Sequence, residues 1–91
     1  MKLVRAHVII SGEVQGVGYR FHTRIKARNL ELKGFVRNLD SGEVEAVFEG
    51  EEDKVNEMVE WCKKGQHHAS VKDVKVELEN YTGEFESFIS D

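Results

Sequence analysis

The glycine-rich segment Gly12–Arg20, which reads GEVQGVGYR, has the residue types and spacing best suited to chemistry in this chain. Glycines let a backbone curl until successive N–H groups converge, and a helix that follows leaves its first N–H groups without partners. Arg20 adds a planar guanidinium, which can bind two oxygens of one phosphate or carboxylate group. The segment matches neither a Walker A motif nor a Rossmann fingerprint. It therefore predicts a site for a small anion, and a plain turn remains the alternative on these grounds alone.

Other residues that could carry chemistry are better explained by packing or exposure. Cys62 lies on the apolar stripe of a predicted helix, and a cysteine phosphatase would need an arginine where this chain has His68. The adjacent pair His67-His68 lacks a carboxylate or cysteine at ligand spacing, so we expect no metal site. Trp61 flanks the same stripe and is expected to be a partly buried packing residue. His22 lies beside the glycine segment, where it either tunes the anion site or is simply exposed.

The charge distribution is uneven. The net charge is −4, yet the segment from Arg20 to Arg37 holds six basic residues and one acidic residue. An acidic protein with one local basic segment favours a small anionic ligand over a polyanion, although a solvated helix face is an equally good explanation.

Periodicity predicts six elements in the order strand, helix, strand, strand, helix, strand. The strands are indicated at residues 4–10, Phe35–Leu39, Glu43–Glu49 and 74–78. The first helix is expected from Phe21 to about Leu30, and the second carries the stripe Val55, Met58, Val59 and Cys62, with Gly65 as its C-terminal stop. Asp40-Ser41-Gly42 supplies the turn between the second and third strands.

Several side-chain orientations follow from the same patterns. The first strand should bury Val4, Ala6, Val8 and Ile10, and the third should bury Val44, Ala46 and Phe48 with its glutamates facing out. The fourth strand alternates at Val74, Val76 and Leu78. The first helix has two candidate apolar stripes, one at Thr23, Ala27 and Leu30 and the other at Phe21, Ile25 and Leu32.

This order predicts an α+β fold, the ferredoxin-like two-layer sandwich (βαββαβ), with an antiparallel sheet and both helices on one face. A short extra C-terminal strand is expected over Phe85–Ile89. Residues 1–91 are expected to form a single domain, since no linker or internal repeat interrupts the pattern. Many unrelated functions use this architecture, so function has to be argued from the site.

The chain has no apolar run of the roughly 20 residues that span a bilayer, and its N-terminus has no signal-peptide profile. With Cys62 as the one cysteine, no intrachain disulfide is possible. We therefore expect a cytoplasmic protein that has no membrane partner and is a monomer.

Two long patterns in this chain closely resemble the signatures of the acylphosphatase family. Gly12–Arg20 resembles the loop signature G-x-V-Q-G-V-x-[FY]-R. The segment Gly34-Phe35-Val36-Arg37-Asn38, followed by Gly42, Val44 and Gly50, resembles the second signature at the family's spacing. The resemblance covers nearly the whole chain. The sequence differs from the family pattern at Glu31, near a position where the family often has glycine, and at Gln66-His67-His68, where the family often has prolines.

The resemblance implies hydrolysis of acyl phosphates to a carboxylate and inorganic phosphate, with no metal and no organic cofactor. It implies that Arg20 binds the phosphate and that Asn38 orients the attacking water. The backbone cradle for the phosphate would comprise Gln15, Gly16, Val17, Gly18, Tyr19 and Arg20. The partners expected are therefore an acyl phosphate and phosphate or another small anion, and no nucleic acid.

The sequence leaves two alternative functions open, RNA binding and anion binding without catalysis. Lys33-Gly34-Phe35 matches the start of an RNA-recognition signature, but Val36 and Arg37 stand where a small residue and an aromatic should follow. Net acidity also argues against RNA binding, which uses basic grooves and aromatic platforms. The second alternative is a catalytically silent module that binds an acyl phosphate or another anion.

Overall fold

The computed structural model describes residues 2–65 and 69–91, and the expected His67-His68 pair lies outside them. The elements are β1 Leu3–Glu13, α1 Tyr19–Asn29, β2 Lys33–Asn38, β3 Val44–Glu51, α2 Glu52–Lys64, β4 Ser70–Glu79 and β5 Phe88–Ser90. The strands form one sheet in the order β4-β1-β3-β2-β5. The predicted order of elements is confirmed, and most boundaries differ from the expected ones by a few residues.

The extra C-terminal strand is present and makes the sheet mixed. β5 pairs with β2 in parallel, whereas β1 with β3, β1 with β4, and β2 with β3 are antiparallel. The strand begins at Phe88 rather than at Phe85. Phe85 lies outside the sheet, and its ring centroid is 6.0 Å from that of Phe35. The stacked rings of Phe88 and Phe48, with centroids 5.4 Å apart, attach β5 to the core.

One apolar core joins the sheet to both helices. The residues predicted to face inward from β1 and β3 are buried, apart from Val4, which is half-buried. The stripe of α2 is confirmed at Val55, Met58 and Cys62, and Gly65 follows the helix with a φ of 69°. Within the described residues, neither helix combines the length and apolar character that a membrane crossing requires.

The structure decides between the two candidate stripes of α1. Thr23, Ala27 and Leu30 are buried, whereas Phe21 and Ile25 are 54% and 43% exposed. Thr23 satisfies its hydroxyl by donating to the main-chain oxygen of Tyr19 at 2.7 Å. The first stripe therefore faces the core.

A Schellman motif ends α1. The N–H of Leu32 donates to the oxygen of Ala27 and that of Glu31 donates to Arg28, which satisfies two carbonyls of the last turn. Glu31 stands at the left-handed position of this motif with a φ of 59°, where glycine is usual. Leu32 lies beyond the end of α1 and is buried, so its assignment to the second stripe of the helix is wrong.

The expected alternation of β4 is only partly matched by burial. Val76 and Leu78 pair with Val8 and Ala6 in register, yet they are 40% and 70% exposed. β4 is an edge strand, so these side chains have a neighbouring strand on one side only. Val74 is half-buried and packs against the core.

The expectation that the glutamates of β3 face solvent is wrong at Glu49, which is 2% exposed. Its side chain points away from the helices, but the segment after β4 covers it. Its carboxylate accepts from the N–H groups of Thr82 and Gly83 and from Arg5 at 3.2 Å. Burial alone would raise the pKa of Glu49, but these hydrogen bonds outweigh it and hold the pKa below its ordinary value.

Candidate functional site

The glycine-rich loop occupies residues 14–18, between the end of β1 at Glu13 and the start of α1 at Tyr19. Gly16 and Gly18 have φ values of 75° and 84°, a region that other residues rarely adopt. Gly18 is the N-cap of α1, and no side chain caps the helix there. Side-chain caps normally satisfy N–H groups of the first helical turn, so an anion can take that role here.

A cavity of about 290 Å³ opens beside this helix terminus. Its walls are formed by Val14, Gly16, Gly18, Tyr19, Arg20, Phe21, Arg24 and Ser90. Four of the residues predicted to bind phosphate, namely Gly16, Gly18, Tyr19 and Arg20, therefore meet in one cavity. Among the described residues, none that lines the cavity is acidic or a histidine, so this part of the wall presents glycine backbone and two arginines to a ligand.

Arg20 is half-buried at the first turn of α1. Its Nη1 donates to the main-chain oxygen of Asp91, while the Asp91 N–H donates to Val36 at 2.9 Å. The chain just beyond β5 thus restrains the guanidinium. A guanidinium has five N–H donors in a planar fork, so others remain available for an anion.

Gln15 connects the loop to the hairpin formed by β2 and β3. Its Nε2 donates to the main-chain oxygens of Leu39 and Glu43, both at 2.8 Å. The sequence predicted a role for its backbone, and the structure adds this structural role for its side chain. Neither Gln15 nor Asn38 is among the residues lining the cavity.

Asn38 is the last residue of β2, where it pairs with Val44 of β3. Its side chain is exposed, and the next residue along the chain is Leu39, which Gln15 binds. Asn38 therefore lies on the hairpin that is tied to the glycine loop. The structure does not place it in the cavity wall with Arg20, although the Gln15 link connects the two segments.

Tyr19 is buried, and its side chain belongs to the core rather than to a ligand site. Its hydroxyl donates to the main-chain oxygen of Cys62 at 2.9 Å, and its ring centroid is 5.6 Å from that of Trp61. Burial raises the pKa of the Tyr19 phenol far above its ordinary value, so it stays protonated. Any contact of Tyr19 with an anion must therefore come from its backbone. The expected packing role of Trp61, which is half-buried, is confirmed.

Cys62 is fully buried, as the helical stripe predicted. Burial raises the pKa of its thiol to about 12, so almost no nucleophilic thiolate exists at neutral pH. Within residues 2–65 and 69–91, no group of three or more histidine, cysteine or acidic side chains could hold a metal ion. His22 is exposed, and its Nδ1 lies 3.3 Å from the Gly18 oxygen.

Arg24 is a cavity residue that the sequence reasoning placed only within a basic segment. It is half-buried, lines the same cavity as Arg20, and its guanidinium carbon lies 5.8 Å from the centroid of the Phe21 ring. The available signal was its spacing: residues i and i+4 of a helix share one face.

Comparisons with known proteins converge on one family. The family model described as Acylphosphatase matches residues 6–89. An acylphosphatase of Syntrophus aciditrophicus is 50% identical over 84 residues, which cover 92% of this chain and 88% of that protein. One from Roseiflexus is 52% identical over 88 residues, or 97% and 95% of the two chains. The solved structure of an acylphosphatase from Coxiella burnetii has a TM-score of 0.92 at 37% identity, covering 98% of this chain and 93% of that one.

Proposed function

The chain belongs to the acylphosphatase family, a family of hydrolases that act on acyl phosphates, and we propose that the cavity beside Arg20 is its active site. One observation carries this assignment: an uncapped helix N-terminus, two glycines with positive φ and Arg20 meet at a single cavity. The backbone cradle of this proposal comprises Gln15, Gly16, Val17, Gly18, Tyr19 and Arg20.

The phosphoryl group is held by this cradle and by the Arg20 guanidinium. Phosphoryl transfer passes through a loose transition state, in which charge spreads over the equatorial oxygens. Donors fixed before the reaction stabilise that charge without reorganisation, and removing one such donor typically costs about 3 kcal/mol.

Asn38 orients the attacking water in this mechanism. Its amide carries both an acceptor oxygen and donor N–H groups, which suffices to aim a water molecule at phosphorus. The Gln15 side chain supports the assignment, since it ties the hairpin that bears Asn38 to the phosphate loop. The water oxygen forms a bond to phosphorus, the bond from phosphorus to the acyl oxygen breaks, and the carboxylate departs with its electron pair.

The described residues of the cavity wall include no acid and no histidine, which fits such a leaving group. A carboxylate leaves without protonation, so no general acid is required. The proton released by the water passes to a phosphoryl oxygen of the substrate.

The proposal is tested by incubating the purified protein with benzoyl phosphate, with and without EDTA, and following the release of phosphate. Hydrolysis that EDTA leaves unchanged supports a metal-free acylphosphatase. Saturable phosphate binding without turnover identifies the silent module instead. Retention of single-stranded RNA at physiological salt, without hydrolysis, would support the RNA-binding alternative.

We further propose that residues 1–91 work as one domain, as a monomer and in the cytoplasm. One continuous core and a single, fully buried cysteine support this assignment. Light scattering after size exclusion measures the molar mass directly. A dimer mass at micromolar concentration contradicts the monomer.

A further inference from the structure

Arg24 has no assigned role, although it lies in the wall of the proposed active site. It follows Arg20 by one helical turn, and both side chains line the same cavity. The Cβ atoms of such i,i+4 pairs lie about 6 Å apart. The cavity therefore offers a second cation one helical turn away from the phosphate-binding arginine.

No carboxylate of the described chain lies within ion-pair distance of Arg24. Some other basic side chains do have acidic partners, as Lys26 has Glu57 at 3.2 Å and Arg37 has Glu45 at 2.5 Å. The contact found for Arg24 is with the ring of Phe21, at 5.8 Å from the centroid. A cation over an aromatic face keeps its charge and its donors, so Arg24 remains able to bind an anion.

Phe21 forms the apolar part of the same wall. Its side chain is 54% exposed, and it lines the cavity together with the two arginines. A phosphoryl group held at Arg20 would leave the acyl chain free to lie along this ring. The far end of that chain would then reach Arg24.

We propose that Arg24 is a specificity-determining residue that binds a second anionic group at the far end of the acyl chain. The preferred substrates are then acyl phosphates of short dicarboxylic acids, because a distal carboxylate matches a guanidinium one helical turn from the phosphate site. This inference rests on the proposed function of the cavity and deepens it by naming a class of substrate.

The test compares two substrates of equal chain length, glutaryl phosphate with a terminal carboxylate and pentanoyl phosphate with a terminal methyl group. The wild-type protein should hydrolyse glutaryl phosphate with the higher kcat/KM, by about tenfold, as one charge-assisted hydrogen bond allows. Phosphate release is followed at low ionic strength, and spontaneous breakdown is subtracted. The preference should shrink as salt is added, because the site is open to solvent.

Three variants locate the effect. Arg24→Gln should lose most of the preference for glutaryl phosphate, because its kcat/KM should fall much more for glutaryl phosphate than for pentanoyl phosphate, and Arg24→Lys should retain part of the preference. Lys26→Gln on the same helix removes one positive charge outside the cavity, so it should leave both rates unchanged. Circular dichroism confirms that each variant is folded.

The outcomes separate this inference from the function on which it rests. Hydrolysis of both substrates by wild type without a preference overturns the role of Arg24 and leaves the acylphosphatase assignment intact. An equal loss on both substrates in Arg24→Gln also overturns it, since Arg24 would then act on the phosphoryl group. Failure of wild type to hydrolyse either substrate contradicts the proposed function itself.

Discussion

The side-chain amide of Gln15 donates to the main-chain oxygen of Leu39 at 2.8 Å, and through its second N–H to that of Glu43 at the same distance. Leu39 and Glu43 are themselves joined by a 2.8 Å backbone hydrogen bond. One side chain of the glycine loop therefore fixes the loop against the base of the hairpin turn, next to Asn38. The geometry between the proposed phosphate site and the proposed water site depends on this link.

Replacing Gln15 should therefore impair catalysis as well as stability. Gln15→Ala removes two hydrogen bonds, so the free energy of unfolding should fall by about 1–3 kcal/mol. The kcat for benzoyl phosphate should fall about tenfold or more, because small misplacements of reacting groups are costly. Val59→Ala, a packing change on the half-buried side of α2, controls for stability. A kcat near the wild-type value in folded Gln15→Ala contradicts the positioning role.

Arg20 and Asn38 should respond differently to inorganic phosphate used as an inhibitor. Arg20→Ala should lower kcat/KM by about a hundredfold to a thousandfold and should raise the inhibition constant of phosphate strongly. Asn38→Ala should lower kcat by about a hundredfold and leave that constant nearly unchanged, because a water-orienting group does not hold the phosphoryl oxygens. Steady-state kinetics with benzoyl phosphate and added phosphate measures both quantities.

Matched substitutions make this comparison specific. Arg20→Lys keeps the charge and loses the planar fork, so its activity should stay well below wild type. Asn29→Ala removes an exposed asparagine at the end of α1 and should change neither constant. A phosphate inhibition constant that rises equally in Arg20→Ala and Asn38→Ala argues against the division of roles.

Gly16 and Gly42 form a natural pair for testing the loop. Both have positive φ, at 75° and 95°, and an added Cβ would meet no atom within 4 Å beyond the adjacent residues of the chain at either position. Alanine should therefore cost similar stability at the two sites, about 1–2 kcal/mol. Only Gly16→Ala should lose most acyl phosphate hydrolysis, because its Cβ would enter the space of the phosphoryl group. Equal activities in the two variants, measured below their unfolding transitions, would remove Gly16 from the site.

The local features of the fold and the site could be predicted from the sequence because they depend on short-range rules. Alternation and helical spacing identify the core faces of β1 and α2. The glycines of the loop predict a turn before a helix, and Arg20 follows within that turn. The resemblance to a family added Asn38, for which spacing alone offered no role.

Features that depend on distant segments could not be predicted in this way. Leu78 continues an apolar alternation, yet it is exposed because β4 is an edge strand. Glu49 occupies a position that faces away from the helices, yet Thr82 and Gly83 cover it from the end of the chain. In the sequence, Arg24 is one of several basic residues in a charged segment. Only the orientation of α1 against the sheet shows that it lines the cavity. Each of these cases depends on tertiary contacts with segments that are distant in the sequence.

Glu49 should make stability depend on pH. Its pKa is lower in the folded protein than its ordinary value of about 4.3, so the unfolded chain binds the proton more readily. The stabilisation is therefore complete at neutral pH and is lost as pH falls below about 4.3 and through the folded pKa. Glu49→Gln should be less stable by about 2 kcal/mol at pH 7, and this difference should shrink in acid.

Urea unfolding at several pH values, from neutral to acid, measures this effect. Glu60→Gln, a change at an exposed carboxylate of α2, should stay within about 0.5 kcal/mol of wild type throughout. A gap between Glu49→Gln and wild type that stays constant with pH would show that the Glu49 charge contributes nothing beyond packing.

Glu31 offers a stabilising substitution far from the proposed chemistry. It occupies the left-handed position of the Schellman motif at φ 59°, where an L-residue with a side chain is strained and glycine is not. Glu31→Gly should raise the free energy of unfolding by about 0.5–1 kcal/mol, because relief of strain exceeds the extra flexibility of the unfolded chain. Benzoyl phosphate turnover should be unchanged. Asn29→Gly, on the same turn but at a helical position, should instead lower stability, and a gain there would contradict the backbone explanation.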